Sequence, residues 1–122
     1  MKKAIALMIL IIGLSLNAQG PAELSGKWKL VKWEKDGKIQ DIAAHFKTDQ
    51  VFQVFSQDGN YQEITADRTL NGTWKLSHDR RKLTTNAGLL PTHYKIDYFD
   101  AKRRILTQEG MGTYTFEKVQ NL

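Results

Sequence analysis

The sequence predicts an all-β fold: an eight-stranded antiparallel up-and-down barrel with a short lid helix between its first two strands. Three observations support this prediction. About eight short strand-like runs follow residue 18, with turn-forming residues between them and almost no helical periodicity. Apolar side chains in several of these runs alternate with polar ones. The tripeptide Gly26-Lys27-Trp28 opens the first run, where glycine permits a tight turn and tryptophan can plug one end of a barrel.

Closure of the sheet follows from the number and order of the strands. Eight short antiparallel strands in an open sheet would leave two exposed edges, which invite aggregation. Pairing the last strand with the first removes both edges. The interior of an eight-stranded barrel is filled by side chains or holds one small ligand. We therefore expect a closed barrel with a small interior.

The alternation of apolar and polar residues, together with the turn residues between the runs, predicts eight strands. They are residues 27–35, 51–55, 61–65, 73–77, 82–85, 93–99, 104–108 and 113–119. Alternation is clearest in the sixth strand, where Tyr94, Ile96 and Tyr98 are expected to share one face. This period of two is typical of an antiparallel sheet with one buried face.

One segment breaks the strand pattern. In residues 39–46 the apolar side chains of Ile39, Ile42, Ala43 and Phe46 recur at helical spacing. A helix of about two turns is not stable alone in water, so it must dock onto the sheet. We expect it to form a lid on the barrel.

An up-and-down order assigns each connection to one end of the barrel. The turns at the end where the first strand starts are short and polar, and they carry Asp58, Asp79 and Asp100. The connections at the opposite end are unusually apolar. They hold Ile39, Ile42, Phe46, Leu70, Leu89, Leu90 and Met111. Apolar loops of this kind cover a core or line a binding mouth.

The first 18 residues have the features of a cleavable signal peptide. Lys2 and Lys3 form a basic start, residues 4–16 are apolar, and Ala18 supplies the small residue before a cleavage point. The apolar stretch is shorter than the roughly 20 residues that a membrane span requires. We therefore expect cleavage after Ala18.

The remaining chain is predicted to be one domain preceded by a short leader. Residues 19–23 are expected to be irregular, and residues 24–122 form the barrel domain. Because the signal peptide directs export, we expect a soluble protein in the periplasm or outside the cell, not membrane-spanning after cleavage.

Composition excludes several classes of function. The chain contains no cysteine, which rules out disulfides, thiol chemistry and a lipid-modified N-terminal cysteine. Without Lys2 and Lys3, 16 of the 18 basic residues remain against 13 acidic ones, a mild net charge of +3. The runs Arg80-Arg81-Lys82 and Lys102-Arg103-Arg104 fall in predicted turns and are interpreted as solvated surface. No nucleic-acid partner is expected.

The residues resemble a known family. Gly26-Lys27-Trp28, the eight-strand meander and the lid after the first strand resemble the lipocalins, above all the small lipocalin-like domains of exported bacterial proteins. The resemblance spans residues 24–118 and implies a binding cup. The family usually carries a late arginine that stacks on the motif tryptophan, and Lys118 is the residue predicted here for that contact. Gly26, Trp28 and Lys118 are thus predicted to close one end of the barrel.

The candidate ligand contacts lie at the loop-rich end. Trp74 is predicted to begin its strand there, and Tyr94 and Tyr114 belong to an aromatic stripe that can line a cavity or form ordinary core. The full predicted set of ligand-binding residues is Ile42, Phe46, Trp74, Leu89, Leu90, Tyr94 and Tyr114.

No catalytic or cofactor site is predicted. His45, His78 and His93 have no spacing that would place two of them on one metal ion. The serines lack the glycine-flanked turn of a nucleophile, and no glycine-rich phosphate loop is present. We therefore expect no enzyme activity, no cofactor and no metal.

Two functions remain open from the sequence. The first is an exported binding protein that holds a small hydrophobic or amphipathic ligand at the loop-rich end. The alternative is a filled barrel that acts as a protein-interaction or inhibitor module on an envelope protein partner. The volume inside the barrel discriminates between them, since a cavity favours a ligand and a packed interior favours a protein partner.

Overall fold

The computed structural model describes residues 21–120, so the predicted signal peptide lies outside the described residues. Two short helices are present, α1 (Pro21–Leu24) and α2 (Ile42–Phe46). The strands are β1 (Gly26–Lys35), β2 (Lys38–Ile39), β3 (Val51–Phe55), β4 (Asn60–Thr65), β5 (Arg68–Leu76), β6 (Lys82–Asn86), β7 (Thr92–Phe99), β8 (Arg103–Gln108) and β9 (Gly112–Lys118).

The strands form a closed barrel. Consecutive strands from β3 to β9 pair antiparallel, and β1 pairs with both β3 and β9. The two-residue strand β2 pairs only with the end of β1, so eight strands close the barrel. The predicted fold class is confirmed.

The barrel has a short-turn end and a lid end, as the order of the strands predicts. Gly26 at the start of β1 pairs with Phe55 at the end of β3, which places the β3–β4 turn beside the start of β1. The pairing of β1 with β3 extends only to Lys29, opposite Phe52. Beyond Lys29, β1 continues to pair with β9 and, at its end, with β2, and helix α2 lies in the connection between β1 and β3.

Strand β5 begins earlier than the sequence predicts. It pairs with β4 from Thr65 and Arg68 onward, so only Ala66 and Asp67 form the connection, with Ala66 at a positive φ of 57°. Leu70 therefore lies within a strand, and the predicted loop was wrong. Gly72 precedes the predicted start of this strand at residue 73, but it lies inside β5. Its missing side chain permits a close approach of β6, because a Cβ atom there would lie 1.6 Å from the carbonyl oxygen of Asn86.

The alternation in β7 is interrupted by a bulge. The register between β7 and β8 shifts between Ile96 and Tyr98. Tyr98 is consequently exposed, and its hydroxyl donates a hydrogen bond to Asp100 at 2.6 Å. Phe99 instead packs against the core. The prediction that Tyr98 shares a face with Tyr94 was wrong, because a bulge shifts the period of two by one residue.

Both helices differ from the predicted segments. The leader is not irregular throughout, since Pro21–Leu24 form a helical turn and Leu24 is fully buried. The lid helix is shorter than residues 39–46, because Ile39 belongs to β2 and is mostly exposed. Asp41 caps helix α2 by accepting a hydrogen bond from the amide of Ala44 at 3.0 Å. The two apolar residues that bound the helix, Ile42 and Phe46, pack against the core, which confirms the predicted docking.

Candidate ligand cavity

The short-turn end of the barrel is closed by a buried tryptophan and a buried arginine. Trp28 and Arg104 are both fully buried, and the guanidinium Cζ of Arg104 lies 3.8 Å from the centre of the Trp28 ring. The carbonyl oxygen of Leu24 accepts hydrogen bonds from Trp28 Nε1 and Arg104 Nη2, both at 3.0 Å. Helix α1 thus completes this end, because its Leu24 carbonyl holds both the Trp28 ring and the Arg104 guanidinium.

Lys118 makes the predicted contact with Trp28, and Arg104 makes a closer one that was not predicted. The Lys118 ammonium lies 5.6 Å from the ring centre, within the range of a cation–π contact, whereas Arg104 Cζ lies 3.8 Å from it. The sequence interpretation missed Arg104 because it treated Lys102-Arg103-Arg104 as a solvated turn. The alternation along β8 could have predicted that Arg104 points inward, since Arg104 and Leu106 are both buried and Arg103 is exposed.

The buried guanidinium has aromatic neighbours in place of a carboxylate. Its Cζ lies 4.9 Å from the ring centre of Phe55 and 5.6 Å from that of Phe99. Nε and Nη1 have no hydrogen-bond partner within residues 21–120. Burial lowers the pKa of Arg104, and the Tyr61 side chain opposes this shift. Arginine nevertheless stays protonated in proteins, so the aromatic faces and the Leu24 carbonyl hold a buried cation.

Trp74 lies at the closed end, and its predicted position at the loop-rich end was wrong. Its Nε1 donates a hydrogen bond to the carbonyl of Ser56 in the β3–β4 turn at 2.8 Å. Its ring meets Phe55 edge-on at 5.9 Å. Because β5 begins at Arg68, Trp74 comes near the end of that strand and belongs to the filled half of the barrel.

The lid end of the barrel contains a cavity of about 220 Å³. Its apolar wall is formed by side chains from β1, β3, β9, helix α2 and the β8–β9 connection. These residues are Leu30, Val51, Phe116, Phe46 and Met111. His45 of helix α2 also lines the cavity and is exposed, so it marks the mouth.

An aromatic cluster holds the lid over the cavity. Trp33 stacks on Tyr114 with a centroid distance of 5.9 Å and an interplanar angle of 22°. The rings of His45 and Phe46 lie 4.7 and 6.0 Å from Trp33. Trp33 Nε1 also donates a hydrogen bond to the carbonyl of Met111 at 2.7 Å. Trp33 therefore joins helix α2 to the β8–β9 connection.

The structure brings together only part of the predicted ligand-binding set. Phe46, Tyr94 and Tyr114 line the cavity. Ile42 packs against the core beside it. Leu89 and Leu90, in the connection between β6 and β7, are 101% and 79% exposed and do not line the cavity.

The polar side of the cavity includes residues that sequence reasoning missed. Gln53 is 3% exposed, and its Nε2 donates a hydrogen bond to the Tyr94 hydroxyl at 3.3 Å. Its Oε1 is buried without a hydrogen-bond partner in the part of the chain that the structure describes. Tyr114 donates a hydrogen bond to Gln108 Oε1 at 3.2 Å. The alternation of Val51, Gln53 and Phe55 along β3 could have revealed Gln53 as an inward residue.

Glu63 of β4 also lines this cavity. Burial raises the pKa of its carboxyl group, and Arg68 partly opposes the shift. Burial also raises the pKa values of Tyr94 and Tyr114, and the charge of Glu63 adds to both shifts. Glu63 is therefore within electrostatic reach of two tyrosines that line the same space.

Metal-ligating side chains are not clustered in residues 21–120. Across that range, no group of three or more His, Cys, Asp or Glu side chains is placed to hold a metal ion. The same residues include no helix with the length and apolar character needed to cross a membrane. The site that the described residues form is a small, partly polar cavity under an aromatic lid.

Comparison with known proteins supports the fold. No protein-family model and no curated protein sequence matches the chain. An uncharacterized protein from Bacteroides eggerthii superposes with a TM-score of 0.62 at 18% identity, covering 78% of this chain and 98% of that chain. A DUF4847 family protein from Bacteroides vulgatus gives a TM-score of 0.57 at 17% identity, covering 80% and 95%.

A third solved structure has the same architecture. A protein from Burkholderia xenovorans, solved by NMR, superposes with a TM-score of 0.57 at 12% identity, covering 84% of this chain and 90% of that chain. At these identities the likeness concerns the fold alone. The fold defines the class of this protein as a small, closed, eight-stranded up-and-down β-barrel.

Proposed function

We propose that this chain is an exported lipocalin-like protein that binds a small hydrophobic or amphipathic molecule at the lid end of the barrel. The observation that carries the proposal is the cavity of about 220 Å³ lined in part by His45 and Phe46 of helix α2. Export is supported by the basic and apolar pattern of residues 1–18. The lipocalin-like assignment is supported by Gly26-Lys27-Trp28 and by the Arg104 contact on Trp28.

The cavity volume limits the size of the ligand. Pockets for drug-sized ligands measure about 300–1,000 Å³, whereas an apolar cavity of about 150 Å³ accommodates benzene. A space of about 220 Å³ therefore suits a molecule with one ring or a short chain and is too small for a sterol. Affinity would come from buried apolar surface, at about 25 cal/mol per Å².

Ligand titration with a cavity-filling variant tests this proposal. Small aromatic and short-chain compounds are added to the wild type, and binding is measured by isothermal titration calorimetry and tryptophan emission. Val51→Phe, which fills the cavity, should abolish binding, whereas Val54→Phe on the same strand should not, because Val54 does not line the cavity. Absence of binding by every compound, or equal binding by both variants, contradicts the proposal.

Protein recognition is the second candidate function, and the exposure of Leu89 and Leu90 favours it. Exposed neighbouring leucines at a loop tip are costly to hydrate and are typical of contact surfaces. Pull-down from an envelope fraction with wild type and with Leu89→Ser/Leu90→Ser tests it. A specific partner lost in the variant supports this function, and identical captured proteins contradict it. Small-molecule binding should be unchanged in the same variant.

A further inference from the structure

The cavity lining contains an acidic residue but no lysine or arginine among residues 21–120. The acidic residue is Glu63, which contributes a carboxylate. Within the same range, the Glu63 carboxylate makes neither a hydrogen bond nor an ion pair, and Arg68 is its electrostatic neighbour on β5. An anionic ligand would meet this carboxylate without a compensating cation inside the cavity. The lining therefore disfavours carboxylates and phosphates.

The cavity lining also includes a buried hydrogen-bond acceptor without a partner in residues 21–120. This acceptor is Gln53 Oε1. A buried acceptor left unpaired costs free energy, which a ligand with an N–H or O–H donor recovers. A purely apolar ligand would leave both Gln53 Oε1 and the Glu63 carboxylate without a partner.

The aromatic residues of the cavity also favour a cationic ligand. Tyr94, Tyr114 and Phe46 present rings to the cavity, and aromatic faces attract cations. An ammonium group on a small apolar molecule matches these features. It would pair with the Glu63 carboxylate, donate a hydrogen bond to Gln53 Oε1 and contact the aromatic rings. The apolar wall, which includes Leu30 and Phe116, would contact that body.

We propose that the cavity selects small primary amines in their ammonium form, with the nitrogen at Glu63 and Gln53 Oε1 and the apolar body against the wall. This inference rests on the proposed function, since it requires that the cavity bind a small molecule. The raised pKa of Glu63 supports it, because a carboxylate that is costly to bury gains most from a cation placed beside it.

A matched ligand series tests the selection. The compounds 2-phenylethylamine, 2-phenylethanol and phenylacetate share one ring and differ in the polar group. Titration calorimetry at about pH 8, where histidine side chains are generally neutral, should give the tightest binding for the amine. We expect the amine to exceed the alcohol by about tenfold or more, the usual value of one charge-assisted hydrogen bond. Phenylacetate should bind most weakly.

Variants of two glutamates locate the effect. Glu63→Gln should reduce amine affinity to about that of the alcohol while leaving alcohol affinity nearly unchanged. Glu117→Gln, on the exposed face of β9, should leave the whole series unchanged and serves as the charge-matched control. Circular dichroism of each variant confirms that the fold is retained.

The outcomes separate this inference from the proposed function. If the alcohol binds and Val51→Phe abolishes its binding, but the amine binds no tighter, amine selection is overturned and the proposed function stands. An amine preference that survives in Glu63→Gln also overturns it. If no compound of this series or of the wider panel binds, the proposed function fails as well.

Discussion

The two ends of this barrel are built from the same strands, yet one is filled and the other contains a cavity. On β3, Phe55 at the closed end contacts the rings of Tyr61 and Trp74 at 5.0 and 5.9 Å. On the same face of that strand, Val51 and Gln53 line the cavity. Inward residues of one strand therefore either fill a core or border a cavity, depending on the volume that their neighbours fill.

The two ends also handle charge differently. Arg104 is fully buried among aromatic rings and donates a hydrogen bond to the Leu24 carbonyl, so its charge belongs to the packed structure. Glu63 lines the cavity, and its carboxylate has no hydrogen bond or ion pair within residues 21–120. Changes at the closed end should therefore act on stability, whereas changes at the cavity should act mainly on binding.

The largest expected effect is the loss of the plug at the closed end. Trp28→Ala should lower the free energy of unfolding by about 3–5 kcal/mol, the usual cost of truncating a buried tryptophan. That is a large part of the roughly 5–15 kcal/mol available to a small domain. Urea denaturation measures the change, with Trp28→Phe as the milder variant that keeps a ring. A loss below about 1 kcal/mol for Trp28→Ala would contradict the assigned role.

The neighbouring arginines should respond very differently to the same substitution. Arg104→Lys should cost about 2 kcal/mol, because lysine cannot reproduce the planar stacking on Trp28 together with the hydrogen bond to the Leu24 carbonyl. Arg103→Lys, on the exposed face, should change stability by less than about 0.5 kcal/mol. Urea midpoints of the two variants check this contrast. Equal effects would show that Arg104 acts only as a surface cation.

Truncation of the lid should cost less than changes at the closed end. Phe46→Ala should lower the free energy of unfolding by about 1 kcal/mol, since the side chain is only half-buried, and should weaken ligand binding by removing a wall of the cavity. Ile39→Ala, on mostly exposed β2, is the control and should alter neither property. Denaturation and titration calorimetry measure the two effects. Unchanged binding in Phe46→Ala would remove helix α2 from the site.

The smallest expected effect is on thermal stability at the cavity. Because the folded-state pKa of Glu63 lies above its unfolded value, protonation favours folding, and that stabilisation is lost as the pH rises through the folded-state pKa. Glu63→Gln should therefore raise the melting temperature near pH 7 by a few degrees at most. The difference should disappear below about pH 4, where the wild-type carboxyl is protonated in both states.

Differential scanning calorimetry at the two pH values checks this last prediction, with Glu117→Gln as the control. A melting temperature lowered by Glu63→Gln at neutral pH would show that Glu63 stabilises the fold. Glu63 would then contribute to stability, as Arg104 is expected to do.

The architecture could be predicted from the sequence because alternation and turn residues are local signals. The predicted bounds of β3 coincide with the observed strand, and those of β4 and β8 differ by one residue at one end. The predicted start of β5 was wrong because Gly72 was interpreted as part of a loop. A glycine is present there because the neighbouring strand β6 comes too close for a side chain. The prediction for Tyr98 failed at a bulge, which depends on pairing with β8.

The candidate site was less accessible to sequence reasoning than the fold. Tyr94 and Tyr114 were found because large aromatic residues on a predicted strand face stand out, and Phe46 because of its helical spacing in the lid. Gln53 and Glu63 were not, because polar residues on strands are usually solvated and only closure of the barrel turns these two inward.

The sequence by itself determined the strand order and the sorting of the connections into two ends. Each depends on residue type and chain order alone. Only the tertiary structure decided that Arg104 is the nearer cation on Trp28, that Trp74 lies at the closed end, and that a cavity remains beside helix α2. Register, bulges and cavity volume arise from contacts between residues distant in the chain, and local patterns do not encode those distances.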